Sequence, residues 1–395
     1  MRTFVAAVAL LTSLAAAAQN ISNEIVSDPL PQNLAPLNLT VPAVSLAKDH
    51  HGAAIAWSMA AAGGVDRIYV ARLDGGGRLV GTPHEIPPSI AKSATHEAYP
   101  ALAPAPDGEG VWLAWTDIDH DVAVSRTVVA RLDANLESST PQWVTGGNTL
   151  PTAPPIVRTK GDTSWIAVNG FVWTLSSDGR LGTPLLGVAA SDMTVGINLP
   201  QVIGGRRIRN TSNACFPNCR DTYSVDFVSL FTVTKFNMQS FLSDLQPAID
   251  SNGAGDILVV FFRGDESSGG TVEATRFPAS EVTRFDQFLA QSRTIGTFPA
   301  DGGGTRPSVA NDGTRWVIVW RARTAPGNHD IAGAVLDADG KVTPLSIATS
   351  AADELDPAVL ALGDGSFLVA YAKVFNGERR IAGRFLSFGR RRAAR

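Results

Sequence analysis

The chain has 395 residues, with 33 Lys and Arg against 37 Asp and Glu, and a formal net charge of −4. Such a balance offers no extended basic surface, so neither a nucleic acid nor an anionic membrane is indicated as a partner. With 44% hydrophobic residues the chain can bury an ample core, and its length suits either several ordinary domains or one large repeat domain.

Residues 1–18 read as a signal peptide. Arg2 supplies the positive start, residues 4–14 form a short apolar stretch, and Ala16-Ala17-Ala18 precedes Gln19 as a small-residue cleavage site. The stretch is too short to span a bilayer, and no other segment is long and apolar enough to do so. A mature chain that is exported and soluble is the expectation. Residues 19–40 are rich in Pro and Asn, but ISNEIVSD at 21–28 resembles LSIATSAAD at 345–353.

From residue 41 onward one phrase recurs. It is clearest at 306–345, RPSVANDGTRWVIVWRARTAPGNHDIAGAVLDADGKVTPL. Pro307-Ser308-Val309-Ala310 is a short extended piece. Asn311-Asp312-Gly313 is a tight-turn signal, because these residues tolerate positive φ. Trp316-Val317-Ile318-Val319-Trp320 is β-branched and aromatic, and too short for a helix, so it predicts a buried strand. A polar loop is predicted over 321–329, a third strand over 331–336, a turn at Asp337-Ala338-Asp339-Gly340, and a fourth strand over 344–349. Four antiparallel strands in about 50 residues match a propeller blade and not a helical solenoid.

The opening proline recurs at Pro42, Pro100, Pro155, Pro200, Pro247, Pro307 and Pro357. The second-strand core recurs as AAIAW, VWLAW, WIAV, ILVVF, WVIVW and FLVAY, ending at Trp57, Trp115, Val168, Phe261, Trp320 and Tyr371. Aromatics at one repeated position predict packing between sheets and not a sugar-stacking platform. The predicted fold is therefore all-β: a seven-bladed β-propeller of four-stranded antiparallel blades over 19–389. Its blades fall at about 41–98, 99–150, 151–199, 200–244, 245–304, 305–355 and 356–389, with 20–28 supplying the last blade's fourth strand. Closure by the N-terminal strand would remove exposed edges and tie the termini together. Residues 390–395 form a basic tail that reads as a solvated terminus.

Three units depart from the pattern. The third is compact, with Asn169-Gly170 as a two-residue hairpin signal. The fourth carries Arg206, Arg207 and Arg209 and then Cys215-Phe216-Pro217-Asn218-Cys219. Two close cysteines in an exported chain predict a local disulfide between Cys215 and Cys219, which would order the insertion more than stabilise the fold. The fifth has a long excursion over 277–304.

Candidate chemistry gathers on the end of a propeller that collects the loops between second and third strands. On that mapping the binding candidates are Asp117, Asp119, His120, Asp121, Arg263, Asp265, Arg321, Arg323, His329 and Asp330. The alternation Asp117, Asp119, Asp121 has the look of a calcium loop, but the Gly and distal Glu of an EF-hand are missing, so a solvated hairpin loop is the favoured reading and calcium the alternative. Arg263-Gly264-Asp265 spells a cell-adhesion tripeptide and equally suits a plain turn. A glycosidase needs two carboxyls flanking a cleft; Asp117, Asp119, Asp121, Asp265, Glu266, Asp330 and Glu378 are the supply. Asn311-Asp312-Gly313-Thr314-Arg315-Trp316 shares a little with the Ser-x-Asp-x-Gly-x-x-Trp turn of sialidases, but its spacing differs and it does not recur. The six histidines, among them His50 and His51, read as surface or turn residues. No HExxH, Gly-x-Ser-x-Gly or phosphate-cradling loop is present.

The phrase PxVAxDGxxxVVVWxxx…DIxGxxLDxDGxV resembles repeats of exported bacterial β-propeller proteins. Units one, two, six and seven carry the resemblance, and units three, four and five depart from it. The resemblance implies a secreted or surface-associated propeller and brings no catalytic residue. Asn20, Asn38 and Asn210 open sequons that matter only in a eukaryotic secretory host. The reading is a monomeric, non-catalytic binding or scaffold propeller without a cofactor, recognising a glycan or protein through its loop-rich face. A carbohydrate-hydrolysing propeller is the alternative.

Overall fold

The computed structural model describes residues 19–22, 24–26, 44–60, 65–75, 77–87, 95–119, 124–147, 155–168, 171–186, 192–195, 200–208, 222–229, 232–238, 247–265, 269–298, 307–325, 328–375 and 378–389. Residues 1–18, the cysteines Cys215 and Cys219, and the basic tail lie outside them. No helix of the described residues is long and apolar enough to cross a membrane.

The described residues form seven antiparallel sheets. In sheet 1 the strands Val44–Asp49, Gly52–Ala60, Asp66–Leu73 and Leu79–Glu85 lie side by side in chain order. Sheets 2 to 6 repeat this four-stranded order, and sheet 7 uses Asp353–Gly363, Ser366–Phe375 and Glu378–Phe388. The first strands of sheets 2 to 6 are Thr95–Pro104, Ile156–Lys160, Asp192–Val195, Ala248–Ser251 and Ser308–Asn311. Residues from all seven first strands line one central cavity of about 300 Å³. Radial sheets around a common channel are the propeller arrangement that the repeat predicts.

Each second strand carries its large side chain at one register position. Leu46, Leu102, Val157, Ile249, Val309 and Val359 pair with Ile55, Leu113, Ile166, Val259, Ile318 and Val369. Two residues beyond each of those partners stand Trp57, Trp115, Val168, Phe261, Trp320 and Tyr371, every one at most 3% exposed. They fill apolar clusters shared by neighbouring sheets: Trp115 between sheets 1 and 2, Trp320 between 5 and 6, Tyr371 between 6 and 7. Trp57 packs with Leu368, Ala370 and Ile381 of sheet 7. The aromatics are core, as their periodic placement predicts.

The inner edges of the first strands are capped from the preceding sheet. Ser45 Oγ accepts the Leu102 amide at 2.9 Å, Asp192 Oδ2 accepts the Ile249 amide at 3.0 Å, and Ser308 Oγ accepts the Val359 amide at 3.1 Å. A buried edge amide without a partner would cost about 1–3 kcal/mol, so a short polar side chain at this position satisfies the fold directly.

The N-terminal segment pairs with the last strand. Gln19–Ile21 lies antiparallel to 386–388, and Ile25–Val26 lies against Gly383 and Ala382. Between them Ser22 Oγ accepts the Phe385 amide at 2.9 Å. Glu24 reaches inward to accept the Tyr371 hydroxyl at 2.5 Å and the Lys373 ammonium.

Three local differences from the sequence reading have simple causes. Pro200 opens the second strand of sheet 4, Pro200–Ile208; the first is Asp192–Val195, whose Asp-Met-Thr-Val lacks the Pro-x-Val signature. The supposed loop over 321–329 is mostly strand, because Arg315–Ala325 and Asn328–Asp337 stay paired to their tips. Polar residues there continue the ladder beyond the apolar core. The excursion in sheet 5 is partly helical, a 3-10 turn at Ala279–Arg284 leading into the helix Phe285–Ala290.

Candidate functional site

The residues singled out from the sequence are strand residues more than loop residues. Asp117 and Asp119 belong to the strand Val111–Asp119 and are buried. Trp115 Nε1 donates to Asp117 Oδ1 at 2.9 Å. His120 and Asp121 lie outside the described residues. A solvated loop is therefore not where Asp117 and Asp119 sit. Among the described residues, no group of three or more His, Cys, Asp or Glu is placed to hold a metal ion.

Arg263 and Asp265 lie on the strand Asp256–Asp265, in register with Thr271 and Gly269. Arg263 pairs with Glu273 at 3.3 Å and lies over the Phe261 ring at 5.7 Å. The tripeptide thus forms a strand end. Gly264 has φ +152, and a Cβ there would meet the Gly269 carbonyl oxygen at 2.5 Å, so the position needs glycine.

Arg321 and Arg323 lie on the strand Arg315–Ala325, with Arg323 in register with His329. His329 Nδ1 meets Asp353 Oδ1 at 2.6 Å, across from sheet 6 to sheet 7. Asp330 is 2% exposed, and neither carboxylate oxygen has a hydrogen-bond partner among the described residues. Glu378 opens the strand Glu378–Phe388, and Glu266 lies outside the described residues.

A rule emerges when two sheet boundaries are compared. By register, Arg67, Glu97 and Asp117 at the first correspond to Asp330, Glu354 and Lys373 at the sixth. Each set holds two acids and one base, placed differently. The neighbouring pair is exchanged as well: Asp66–His96 at 2.9 Å becomes His329–Asp353 at 2.6 Å. Burial and the facing Asp117 charge push the Glu97 carboxyl up to about 7. Burial also raises Glu354, against the Ser350 hydroxyl and the Lys373 charge. Arg67, Glu97, Asp117, Asp330 and Glu354 are buried between sheets, while His96, His329 and Asp353 keep part of their surface.

The polar groups that do face open space lie in the central channel. One step past Leu46, Leu102, Val309 and Val359 the channel is lined by Ala47, Ala103, Ala310 and Leu360. At the same step sheet 3 has Arg158 and sheet 5 has Asp250. Arg158 Nη2 donates to Asp192 Oδ1 at 2.9 Å, and the Arg158 side chain keeps 36% of its surface. Asp192 is committed three ways, to Arg158, to its neighbour's Met193 amide at 2.8 Å, and to Ile249. Asp250 is enclosed by the surrounding strands, which pushes its carboxyl up to about 7 against the Ser251 and Asn311 amides and the Arg158 charge. The result is a cation and a carboxyl raised to about 7 in a channel whose lining also includes Ser45, Thr159, Ser308 and Asn311. The sequence reading missed Arg158, Asp192 and Asp250. Their signal was a charge where the repeat asks for a small apolar residue.

No protein-family model matches the chain, and no curated protein matches its sequence. Solved structures do resemble it. A protein of unknown function from Dyadobacter fermentans is 11% identical, with a TM-score of 0.52, over 94% of this chain and 99% of that one. The Dos1 propeller is 9% identical, with a TM-score of 0.45, over 89% and 93%. The NanB sialidase of Streptococcus pneumoniae is 10% identical, with a TM-score of 0.43, over 92% and 71%. At such identities the likeness is one of fold alone.

Proposed function

We propose that the chain is an exported, non-catalytic binding propeller. In this reading the seven sheets are seven blades, and the N-terminal strand closes the ring by completing the last of them. A glycan or a protein segment is held at the loop-rich end, with Arg158 and Asp250 reaching it through the channel. The observation that carries the reading is the pair of charges at a step where sheets 1, 2, 6 and 7 hold Ala or Leu. Both also tie neighbouring strands, Arg158 through Asp192 and Asp250 through the Asn311 amide and the Thr194 hydroxyl at 3.5 Å, yet the Arg158 side chain keeps 36% of its surface. A guanidinium and a carboxyl together offer several donors and an acceptor, which suits vicinal hydroxyls or a peptide backbone. Binding is favoured over hydrolysis because Asp117, Asp119 and Asp330 are sequestered inside the packed sheets, whereas a glycosidase needs its acid and base against the substrate.

The test is a glycan and protein array probed with the full chain and with Arg158→Ala and Asp250→Asn. A ligand retained by the wild type and weakened at least about tenfold by both variants is expected. Retention that is equal in all three overturns the assignment of the channel.

One observation favours hydrolysis as a second reading. Asp192 is ion-paired with Arg158 while Asp250 is pushed up to about 7. A carboxyl raised to about 7 is suited to general-acid work. Turnover of a fluorogenic glycoside, abolished by Asp250→Asn, would establish it.

A further inference from the structure

Among the described sheets, sheet 5 alone places a helical excursion between its third and fourth strands. The excursion runs over Ala279–Arg284 and Phe285–Ala290. It forms one wall of a cleft of about 410 Å³ against the turn at 338–340 of sheet 6. This cleft lies at the end of the molecule where first and second strands join, away from the loop-rich end. Its size is within the usual range for a small-ligand site.

The cleft is built of fixed parts. Arg276 donates from Nε to Asp256 Oδ2 at 3.1 Å and from Nη1 to the Ala338 carbonyl at 2.6 Å, and its guanidinium lies over Trp316 at 4.8 Å. Arg293 donates from Nη1 to the Gly340 carbonyl at 3.2 Å. Two arginines thus hold the same turn, and Nε and Nη2 of Arg293 have no hydrogen-bond partner among the described residues. Phe288 stacks on Phe277, with centroids 5.2 Å apart and planes 15° apart, and presents the apolar wall. Asp256 takes its donors on Oδ2 and leaves Oδ1 as an acceptor at the rim. The Gln291 side chain stands at the same rim.

We propose that this cleft binds one pyranose ring of a glycan, independently of the channel. Vicinal hydroxyls match the parallel N–H groups of the Arg293 fork and the Asp256 acceptor. Phe277 covers one face of the Phe288 ring and Arg284 lies over the ring at 5.7 Å, so the C–H face of a sugar matches the apolar wall of Pro278, Ile295, Val342 and the Phe288 edge. A pyranose is preferred to a free anion because Asp256 already balances the charge of Arg276 at the rim.

The experiment is saturation-transfer NMR with methyl glucoside, methyl galactoside, methyl mannoside and methyl N-acetylglucosaminide, using the full chain. Transfer to at least one ring is expected, weakened about tenfold or more in Arg293→Ala and in Gln291→Ala. Both residues are exposed, so neither substitution threatens folding. Asp250→Asn, which removes any share of the transfer that arises in the channel, is expected to keep the share that Arg293→Ala and Gln291→Ala remove. Absence of transfer to all four sugars, or equal transfer in the Arg293 and Gln291 variants, overturns the proposal. Loss of transfer in Asp250→Asn instead would assign the binding to the channel and overturn it too.

Discussion

Glu97 and Asp117 stand directly opposite each other on adjacent strands of sheet 2, both buried, so two carboxyls share one dry site. Only one of them can readily hold a charge there. Glu97 accepts the Ile68 amide on Oε2, while its Oε1 has no partner among the described residues.

The pair predicts a pH dependence of stability. The folded carboxyl of Glu97 titrates at about 7, well above its ordinary value of 4.5. The fold therefore holds a proton that the unfolded chain releases. This contribution is complete below about pH 4.5 and is lost as the pH rises through about 7. Glu97→Gln keeps the shape and removes the titration. It is expected to stabilise the chain at pH 8 by on the order of 2 kcal/mol and to change little at pH 4. Urea unfolding at the two pH values checks this, and an equal effect at both would exclude it.

The inner-edge caps predict a graded series. Ser308→Ala strands the Val359 amide and is expected to cost about 1 kcal/mol. Asp192→Ala also releases Arg158 and the Met193 amide, and is expected to cost about 3 kcal/mol. Asp192→Ser should recover part of that loss, since serine fills this role at Ser45 and Ser308. Denaturant midpoints of the three variants give the order; Asp192→Ser no better than Asp192→Ala would refute the shared role.

Glu24 predicts the opposite pH trend from Glu97. Burial opposes its charge, but hydrogen bonds from Lys373 and Tyr371 prevail and hold its carboxyl below the ordinary range. Its contribution is present above the unfolded value of 4.5 and is lost as the pH falls through the lower folded value. Tyr371→Phe removes one donor and is expected to cost about 1–2 kcal/mol near neutral pH, with less effect in acid. Hydrogen exchange of the Phe385 amide, which is bonded to Ser22, should quicken in the same variant.

Gly296 predicts a packing defect. A Cβ at this position would come within 2.2 Å of the Trp320 ring, whose Nε1 donates to the Thr297 carbonyl at 3.0 Å. Gly296→Ala must displace that indole, and is expected to cost about 1–3 kcal/mol through overpacking. A shifted tryptophan emission with a lower unfolding midpoint is the expected readout; unchanged emission and midpoint would contradict it.

Most of the architecture was legible because the chain repeats itself. Turn residues at fixed offsets marked the hairpins, and the aromatics ending five second-strand cores, at Trp57, Trp115, Phe261, Trp320 and Tyr371, marked the packing between sheets. Even the N-terminal strand was visible, through the likeness of 21–28 to 345–353. The first strand of sheet 4 was not, because Asp192–Val195 is short and lacks the Pro-x-Val type of phrase that marks the others. The polar strand tips at Asp117, Asp119 and Arg321 looked like loops because periodicity reports burial by apolar residues only. Glu97 and Glu354 were hidden for a related reason: buried charge depends on partners from neighbouring strands that are far away in the chain. Arg158 and Asp250 were within reach, one residue past the point where the repeated phrase was compared.

The meeting of Gln19 with Phe388 also sets an order of assembly. Hairpins within one sheet join residues close in sequence and can form early. The N-terminal strand must wait for residues that follow it by nearly the whole length of the chain, so it carries the highest contact order in the molecule. Its docking therefore carries the largest loop-closure cost among the described pairings, and the two ends of the propeller hold or loosen together.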